Sequence, residues 1–366
     1  MHPVGWRTAM ESALYGPGGF FVSGERGPAG HFRTSVHASP LFAGAVAELV
    51  RRVDEALGRP ERFDIVDVGA GGGELLTALV ADGTLDDRFR LVGVDLAARP
   101  AGLDERIGWR PSVPDGLVGV LLATEWLDNV PLDVADAATQ RTLLVDPATG
   151  AERLGPPMNA ADRMWAARWW PATARDSGGG NGGGSGDGGS GDGERDGSGG
   201  GEREGSGGGD EDRGSDGTRI EIGWPRDVAW ADAVGRVRRG AALAVDYGHL
   251  AGARPGWGTL TGFRGGRQVM PVPDGSCDVT AHVAMDAVAV AGGHPYALVT
   301  QRDALRRLGV DGARPPLEMA SRDPGGYLRA LTRAGAAAEL LDRDGLGGHW
   351  WLLHTVGMGG RGTMLW

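Results

Sequence analysis

The sequence predicts an α/β fold built on a largely parallel, Rossmann-like sheet. Three observations lead to this prediction. Short apolar runs alternate with segments of helical periodicity, as in sheets that carry helices on both faces. One apolar run leads directly into a glycine-rich turn and then a helix. Polar residues follow several of the runs, and open α/β sheets bind ligands beyond the carboxyl ends of their strands.

Two helices are predicted before the first strand of this sheet. Residues 6–15 form a short helix that ends at a Gly-Pro-Gly-Gly run. Ser39 and Pro40 open a longer helix, with serine as the N-cap and proline in the first turn. Its apolar stripe reaches Leu57 and stops at Gly58. This helix is expected to pack on the sheet.

The strands are predicted from short apolar runs rich in valine, leucine and alanine. Four runs predict buried parallel strands, and two later runs predict a final antiparallel pair. The parallel strands are 64–68, 91–95, 118–123 and 241–246, and the antiparallel pair is 297–300 with 350–356.

The glycine turn after the first strand predicts the cofactor. A dinucleotide fingerprint has its third glycine five residues after the first, and here that position is Glu74. The glycines instead stand at Gly69, Gly71 and Gly73 after the acidic Asp67, the pattern of S-adenosylmethionine (SAM) methyltransferases. SAM has a cationic methionine portion that a nearby carboxylate suits. The sequence therefore predicts SAM binding. A NAD-dependent oxidoreductase is a distant alternative, and a ligand-free turn is another.

Further acids follow the next strands. Asp95 ends the second strand, where a carboxylate can accept hydrogen bonds from both ribose hydroxyls, and Thr124 is placed beside the cofactor. Glu125 and Asp128 lie three residues apart after the third strand. Two such carboxylates could grip a planar guanidinium and later accept its proton. Alternatively, Glu125 caps the following helix and Asp128 is solvated.

Composition excludes several classes of function. A net charge of −11 and a pI near 5.2 argue against a nucleic-acid partner held by phosphate contacts. The single cysteine, Cys277, excludes an internal disulfide, and the histidines lack the spacing of metal ligands, so no metal is predicted. No secretory signal or long apolar run is present. We therefore expect a cytoplasmic protein without membrane insertion.

A Gly-, Ser- and Asp-rich segment at 177–217 divides the chain without ending the domain. It has no apolar side chains to offset the entropy of ordering, so it is predicted to be a disordered insertion. The organisation is then an N-terminal cover and helix, the first part of a SAM-binding core, the insertion, and the remainder of the core. Their ranges are 1–60, 61–176, 177–217 and 218–366.

The ordered motifs resemble the MidA-like methyltransferases, which include the mitochondrial arginine methyltransferase needed for assembly of respiratory complex I. Two N-terminal segments are similar to the family's motifs. They are the opening Ala-Leu-Tyr-Gly-Pro-Gly-Gly-Phe-Phe at 13–21, and the Thr-Ser and Ser-Pro-Leu-Phe runs within 30–42. The same holds for the glycine loop and for the Thr-Glu-Trp-Leu-Asp-Asn-Val-Pro segment. Later matches are found at 245–248, 258–264, 278–283 and 300–305.

The resemblance implies a class I SAM-dependent methyltransferase fold with additional N-terminal and inserted cover segments. It also implies a protein arginine as acceptor, on a subunit or assembly intermediate of complex I. The candidate cover and substrate residues are Thr34, Ser35, Tyr247, Arg264 and His282. Two alternatives remain open: a methyltransferase with another acceptor, and a SAM-binding assembly factor with little turnover. The sequence leaves the oligomeric state open.

Overall fold

The computed structural model describes residues 2–22, 35–170, 217–359 and 365. The strands in these parts of the chain are β1 (Val4–Gly5), β2 (Phe63–Val68), β3 (Phe89–Val94), β4 (Ile107–Arg110), β5 (Leu117–Thr124), β6 (Asp133–Asp136), β7 (Arg141–Val145), β8 (Glu152–Pro157), β9 (Arg219–Ile222), β10 (Val237–Asp246), β11 (Gly248–His249), β12 (Thr261–Arg264), β13 (Arg267–Val269), β14 (Asp278–Thr280), β15 (Val283–Ala284), β16 (Tyr296–Thr300) and β17 (Trp350–Val356).

The helices in the same parts of the chain range from four to eighteen residues. They are α1 (Trp6–Tyr15), α2 (Ser35–Ala38), α3 (Pro40–Leu57), α4 (Glu74–Ala81), α5 (Ala160–Trp169), α6 (Trp224–Gly235), α7 (Met285–Ala291), α8 (Gln301–Arg307), α9 (Leu317–Arg322) and α10 (Pro324–Leu340). Short 3-10 turns occur at Leu127–Asn129, Ala251–Ala253 and Leu346–Gly348.

The central sheet has seven strands in the order β16-β17-β10-β5-β2-β3-β4. The run from β10 to β4 is parallel, and β17 pairs antiparallel with both β10 and β16. The predicted α/β class, the four parallel strands and the final antiparallel pair are therefore confirmed. The sequence analysis did not predict β4, which forms the outer edge of this sheet.

Helices cover both faces of the central sheet. On one face, α3, α4, α8 and α10 share a core with alternate residues of the strands. On the other face, α6 and α7 pack on the opposite residues. Helix α3 begins as predicted, since Ser39 Oγ accepts a hydrogen bond from Leu41 N at 3.1 Å, and it ends at Gly58 with a φ of 80°.

A second sheet of five strands pairs β1, β7, β6 and β9 in order, with β8 added to β7. Helix α1 and the three-stranded sheet β13-β12-β14 pack on one side of it. The sequence analysis missed these strands. They are short, and the pairings β1–β7 and β6–β9 join segments far apart in the chain, so local periodicity does not reveal them.

Both sheets combine strands from before and after the Gly-rich segment. Strand β10 pairs with β5, and β9 pairs with β6. The chain therefore continues one folded unit on both sides of that segment. The predicted disorder at 177–217 falls almost entirely outside the described residues, which resume at Gly217. Among the residues that the structure describes, no helix combines the length and the apolar character needed to cross a bilayer.

Candidate active site

A cavity of about 1360 Å³ opens at the carboxyl ends of β2, β3, β5 and β10. Typical small-ligand pockets occupy roughly 300–1000 Å³, so this one has room for a cofactor and an acceptor group together. Its walls include the glycine loop and both predicted catalytic acids, Glu125 and Asp128. The structure thus places most of the predicted site residues around one cavity.

The glycine loop forms the first wall. Gly69 and Gly71 have φ values of 70° and 56°, a left-handed conformation that glycine adopts without a steric penalty. Gly71 N donates a hydrogen bond to Asp95 Oδ2 at 2.9 Å, and Ala97 N donates to Asp95 Oδ1 at 2.8 Å. A carboxylate oxygen can accept more than one hydrogen bond, so Asp95 is fixed in place and can still receive ribose hydroxyls.

Asp67 lies at the bottom of the same wall and is only 4% exposed. Burial, followed by the negative charges of Glu74 and Asp95, raises the pKa of Asp67 to about 8. A cationic ligand group beside this carboxyl would favour its ionised form. This buried acid therefore fits the amino group of a bound SAM.

The third predicted glycine has a different role. Gly73 is absent from the cavity wall, and its φ of 78° starts helix α4. A Cβ at this position would come within 2.7 Å of the side chain of Leu103, so glycine is needed there for packing. Gly73 therefore lies outside the cavity lining, whereas Thr124 lines the cavity.

The far end of the cofactor side is lined by residues that sequence analysis missed. Leu96 and Ala97 follow β3, and Ser112 and Val113 follow β4. This partly apolar slot lies next to Asp95, where a flat adenine ring would continue from the ribose. Recognising residues 107–110 as a strand would have identified Ser112 and Val113, because residues after parallel strands line the ligand crevice.

Asp128 is held on the acceptor side of the cavity and is 3% exposed. Its Oδ2 accepts hydrogen bonds from the hydroxyls of Tyr247 and Thr280, the latter at 2.7 Å. Its Oδ1 is buried and has no hydrogen-bond partner among the described residues. A buried carboxylate oxygen without a donor is costly, so a ligand that supplies one would stabilise this atom.

A neighbouring acid fixes the turn that carries Asp128. Asp246, at the end of β10, accepts hydrogen bonds through Oδ2 from Leu127 N at 3.0 Å and Asp128 N at 3.3 Å. Burial raises the pKa of Asp246 well above its usual range, and the charges of Asp128 and Glu125 raise it further. Asp246 therefore fixes the turn through its Oδ2, and its burial favours the protonated form of the carboxyl.

Glu125 adopts an unusual backbone conformation, with a φ of 52°. Its Oε1 accepts a hydrogen bond from Ser35 N at 2.9 Å, at the start of α2. Ser35 Oγ in turn lies 3.4 Å from Oε1 of the buried Gln301, which also accepts from Trp351 Nε1 at 3.0 Å. Glu125 therefore contacts the N-terminal cover through its carboxylate, and it also lines the cavity. The alternative in which Glu125 caps the next helix and Asp128 is solvated is wrong.

The cavity is strongly acidic. Eight carboxylate residues line it in the described parts of the chain, and Arg7 is the single lysine or arginine residue in that lining. Two imidazoles, His282 and His349, also line it. Burial lowers the pKa of His282 and lowers that of His349 to about 4, so both rings are neutral near pH 7. The lining suits a cationic acceptor.

The predicted cover residues have different outcomes. Tyr247 and His282 line the cavity, and Ser35 supports it from behind through Glu125. Arg264 does not line the cavity. It is exposed, and its Nε donates to Ser276 O at 3.0 Å, because side chains alternate along β12 and Phe263 takes the cavity side. Thr34 lies outside the described residues.

Sequence analysis also missed aromatic walls on the acceptor side. Tyr15 and Phe21 stack with ring centroids 5.7 Å apart, and Phe263 and His349 complete the lining near Tyr247. Tyr15 OH also donates to Asn129 O at 3.2 Å. Tyr15 and Phe21 both belong to the opening motif at 13–21, and this is the sequence feature that could have identified them as site residues.

A family profile matches residues 88–302, which is more than half of the chain, and its description is "Putative S-adenosyl-L-methionine-dependent methyltransferase". The chain belongs to this family. It is the MidA-like family indicated by the sequence motifs, and its members use SAM as cofactor. The match covers β3 through the start of α8, including Glu125 and Asp128.

Two crystal structures from Burkholderia thailandensis share the fold of this methyltransferase. One, described as a methyl transfer enzyme bound to S-adenosyl-homocysteine, is 23% identical, covers 98% of this chain and 89% of its own, and has a TM-score of 0.70. The other, a native structure of an uncharacterised protein, is 24% identical with coverages of 98% and 88% and a TM-score of 0.67. No curated protein matches the sequence.

Proposed function

We propose that this SAM-dependent methyltransferase transfers methyl groups to an arginine side chain of a protein. The observation that carries the proposal is that Glu125 and Asp128 line the same cavity as the glycine loop, and that the buried Asp128 Oδ1 has no donor among the described residues. A guanidinium has five N–H donors in a planar arrangement that matches carboxylate oxygens.

Several features support the placement of SAM beside this acceptor. Gly69, Gly71, Asp67 and Asp95 lie on the cofactor side, and one relative of the same fold binds S-adenosyl-homocysteine. When bound, SAM supplies a methyl carbon on a sulfonium sulfur, which leaves as a neutral thioether. The protein then has to hold the acceptor nitrogen in line with that carbon.

The two acids have distinct tasks in this proposal. Asp128 is held by the hydroxyls of Tyr247 and Thr280, so its Oδ1 orients the guanidinium in a fixed direction. Glu125 is the more accessible acid and accepts the proton that the nitrogen loses when its bond to the methyl carbon forms. The aromatic walls that include Tyr15 and Phe21 suit the flat face of the same cation.

The acidic lining also favours arginine over a neutral acceptor and an enzyme over a binding-only assembly factor. An assembly factor that merely binds SAM would not need two acids in the wall of the cofactor cavity. A complex I subunit remains a candidate acceptor through the resemblance, and guanidino metabolites are the small-molecule candidates.

The test combines product identification with one substitution. The purified protein and SAM with a labelled methyl group are incubated with arginine-centred peptides and with matched peptides carrying lysine instead, and the products are sequenced by mass spectrometry. We expect label on arginine only. Glu125→Gln should reduce turnover far more than SAM affinity, because the lost charge acts on the acceptor. Label on lysine or on other groups would overturn the arginine assignment.

A further inference from the structure

A buried arginine lies behind the acceptor side of the cavity. Arg226, near the start of α6, is 1% exposed. Its Nε donates to Val130 O at 3.1 Å, and its Nη1 donates to Ala281 O and to His282 O, each at 2.9 Å. Its Nη2 donates to Asp128 O. All of these acceptors are main-chain carbonyl oxygens.

These carbonyls belong to two separate loops of the site. One loop follows β5 and carries Asp128, and the other follows β14 and carries His282. The direct main-chain contact between them is weak, since Ala281 N lies 3.4 Å from Asp128 O. Side chains also join the two segments, since Thr280 Oγ1 donates to Asp128 Oδ2 at 2.7 Å and Asn129 Nδ2 donates to Asp278 Oδ1 at 2.8 Å. Arg226 adds four hydrogen bonds that hold main-chain carbonyls of both loops.

A buried guanidinium is an unusual group to form such a link. Burial lowers the pKa of its guanidinium, while the nearby carboxyls of Asp128, Glu221 and Asp246 oppose that shift. A neutral side chain could satisfy only some of the four carbonyls, and leaving buried acceptors unpaired is costly. A fork of five donors is the side chain that can join two loops at once.

We propose that Arg226 is a positioning residue that sets the acceptor side of the cavity by fixing the Asp128 loop relative to the His282 loop. The proposal rests on the proposed function in one respect: it assumes that the acceptor binds between these loops. The cofactor wall, built from β2, β3 and the glycine loop, does not depend on this link.

Arg254 is a matched control. It is 8% exposed and donates to the carbonyls of Trp169 and His249, each at 2.8 Å, but it does not line the cavity or touch the two loops. Arg254→Lys should therefore lose comparable stability without moving the acceptor side.

The test is hydrogen–deuterium exchange of the full chain with Arg226→Lys, Arg226→Met or Arg254→Lys. We expect exchange about tenfold faster at residues 128–130 and 281–283 in the Arg226 variants, and unchanged exchange at 67–73. SAM affinity should stay within about twofold, while turnover on an arginine peptide falls by roughly 100-fold because the acceptor is misplaced. Unchanged exchange in both loops, or equal acceleration at 67–73, would overturn the proposal.

A second measurement uses the wild-type protein, so it does not depend on whether the variants fold. If Arg226 links the loops, their amides should open together and show the same dependence on low denaturant concentrations. Independent opening would overturn the link. Should the wild type label no arginine at all, the arginine assignment fails, but the exchange measurements still decide whether Arg226 joins the loops.

Discussion

The two sides of the cavity are built in different ways. The cofactor side comes from segments 67–71 and 95–97, which are close in the chain and joined by hydrogen bonds between backbone N–H groups and Asp95. The acceptor side gathers 15–21, 124–131 and 278–283 from distant parts of the chain. Its shape depends on hydroxyls, carboxyls and one guanidinium rather than on a single loop.

This difference has a consequence for substitutions. Changes on the cofactor side should alter SAM affinity, because its contacts are local and made directly to the ligand. Changes on the acceptor side should alter turnover while leaving SAM affinity intact, because we propose that its acids contact the acceptor. A cofactor-side variant that changes only turnover, or an acceptor-side variant that changes SAM affinity, would contradict the separation of the two sides.

The largest effect is expected from Asp128→Asn. The substitution keeps the shape but removes the charge that faces the acceptor, so turnover should fall roughly 100-fold to 1000-fold while SAM affinity changes little. Initial rates and calorimetric SAM binding provide the two measurements. Asp115→Asn is the control, because Asp115 is an exposed acid paired with Arg236 outside the cavity. A large loss of SAM affinity in Asp128→Asn would show that the two sides are not separate.

The next effect concerns the cofactor side. Asp95→Ala removes the acceptor for Gly71 N as well as the expected partner of the ribose hydroxyls. SAM binding should weaken by about 1–3 kcal/mol, the range for losing hydrogen bonds to a charged group. Asp104→Ala is the matched control, since Asp104 is an acid near the same sheet edge that does not line the cavity. Unchanged affinity in Asp95→Ala would contradict the ribose assignment.

A smaller effect should appear as pH dependence of SAM binding. In the unliganded protein the pKa of Asp67 is raised from 3.8 to about 8, so the folded state binds its proton more tightly than the unfolded chain. Stability from this group is therefore lost as pH rises from about 4 to 8. A cationic ligand favours the carboxylate, so affinity should increase with pH and level off above about 8.

The proton released by Asp67 can be measured directly. Calorimetry of SAM binding at neutral pH, in two buffers of different ionisation enthalpy, should show a release approaching one proton. Asp67→Asn should abolish that release. A binding enthalpy that is independent of the buffer would indicate that Asp67 does not change its protonation on binding.

The smallest effect is expected outside both sides. Replacing residues 177–217 by a short Gly-Ser bridge should change the melting temperature by no more than about 3 °C, because loop-closure entropy depends only logarithmically on length. SAM affinity and turnover should be retained. A large loss of stability would show that this segment contributes to the folded unit.

The sequence located the glycine loop and Asp95 of the cofactor side, but not the residues after β4. Strand, turn and helix follow one another at the loop, so the left-handed glycines and Asp95 could be located from local pattern alone. Gly73 falls outside the cavity lining, and a glycine required for packing against Leu103 has the same sequence signature as one required by a ligand.

The acceptor side was predicted only in part. Glu125 and Asp128 follow a recognisable strand, but the hydroxyls that hold Asp128 come from Tyr247 and Thr280, more than a hundred residues away. The role of Arg226 could not be predicted, since in the sequence a buried arginine on a helix cannot be distinguished from an exposed one. Such contacts depend on tertiary packing, which local periodicity does not encode.

The hydrogen bonds of Gln301 bear on the order in which parts of the protein fold during synthesis. This buried amide joins Ser35, beside Glu125, to Trp351 of the last strand. The N-terminal cover thus depends on a strand that is synthesised much later than the cover itself. We expect a nascent chain that lacks β17 to have the glycine loop but an unsettled cover over it. Glu125 and Asp128 would then meet their final surroundings only after β17 has been synthesised.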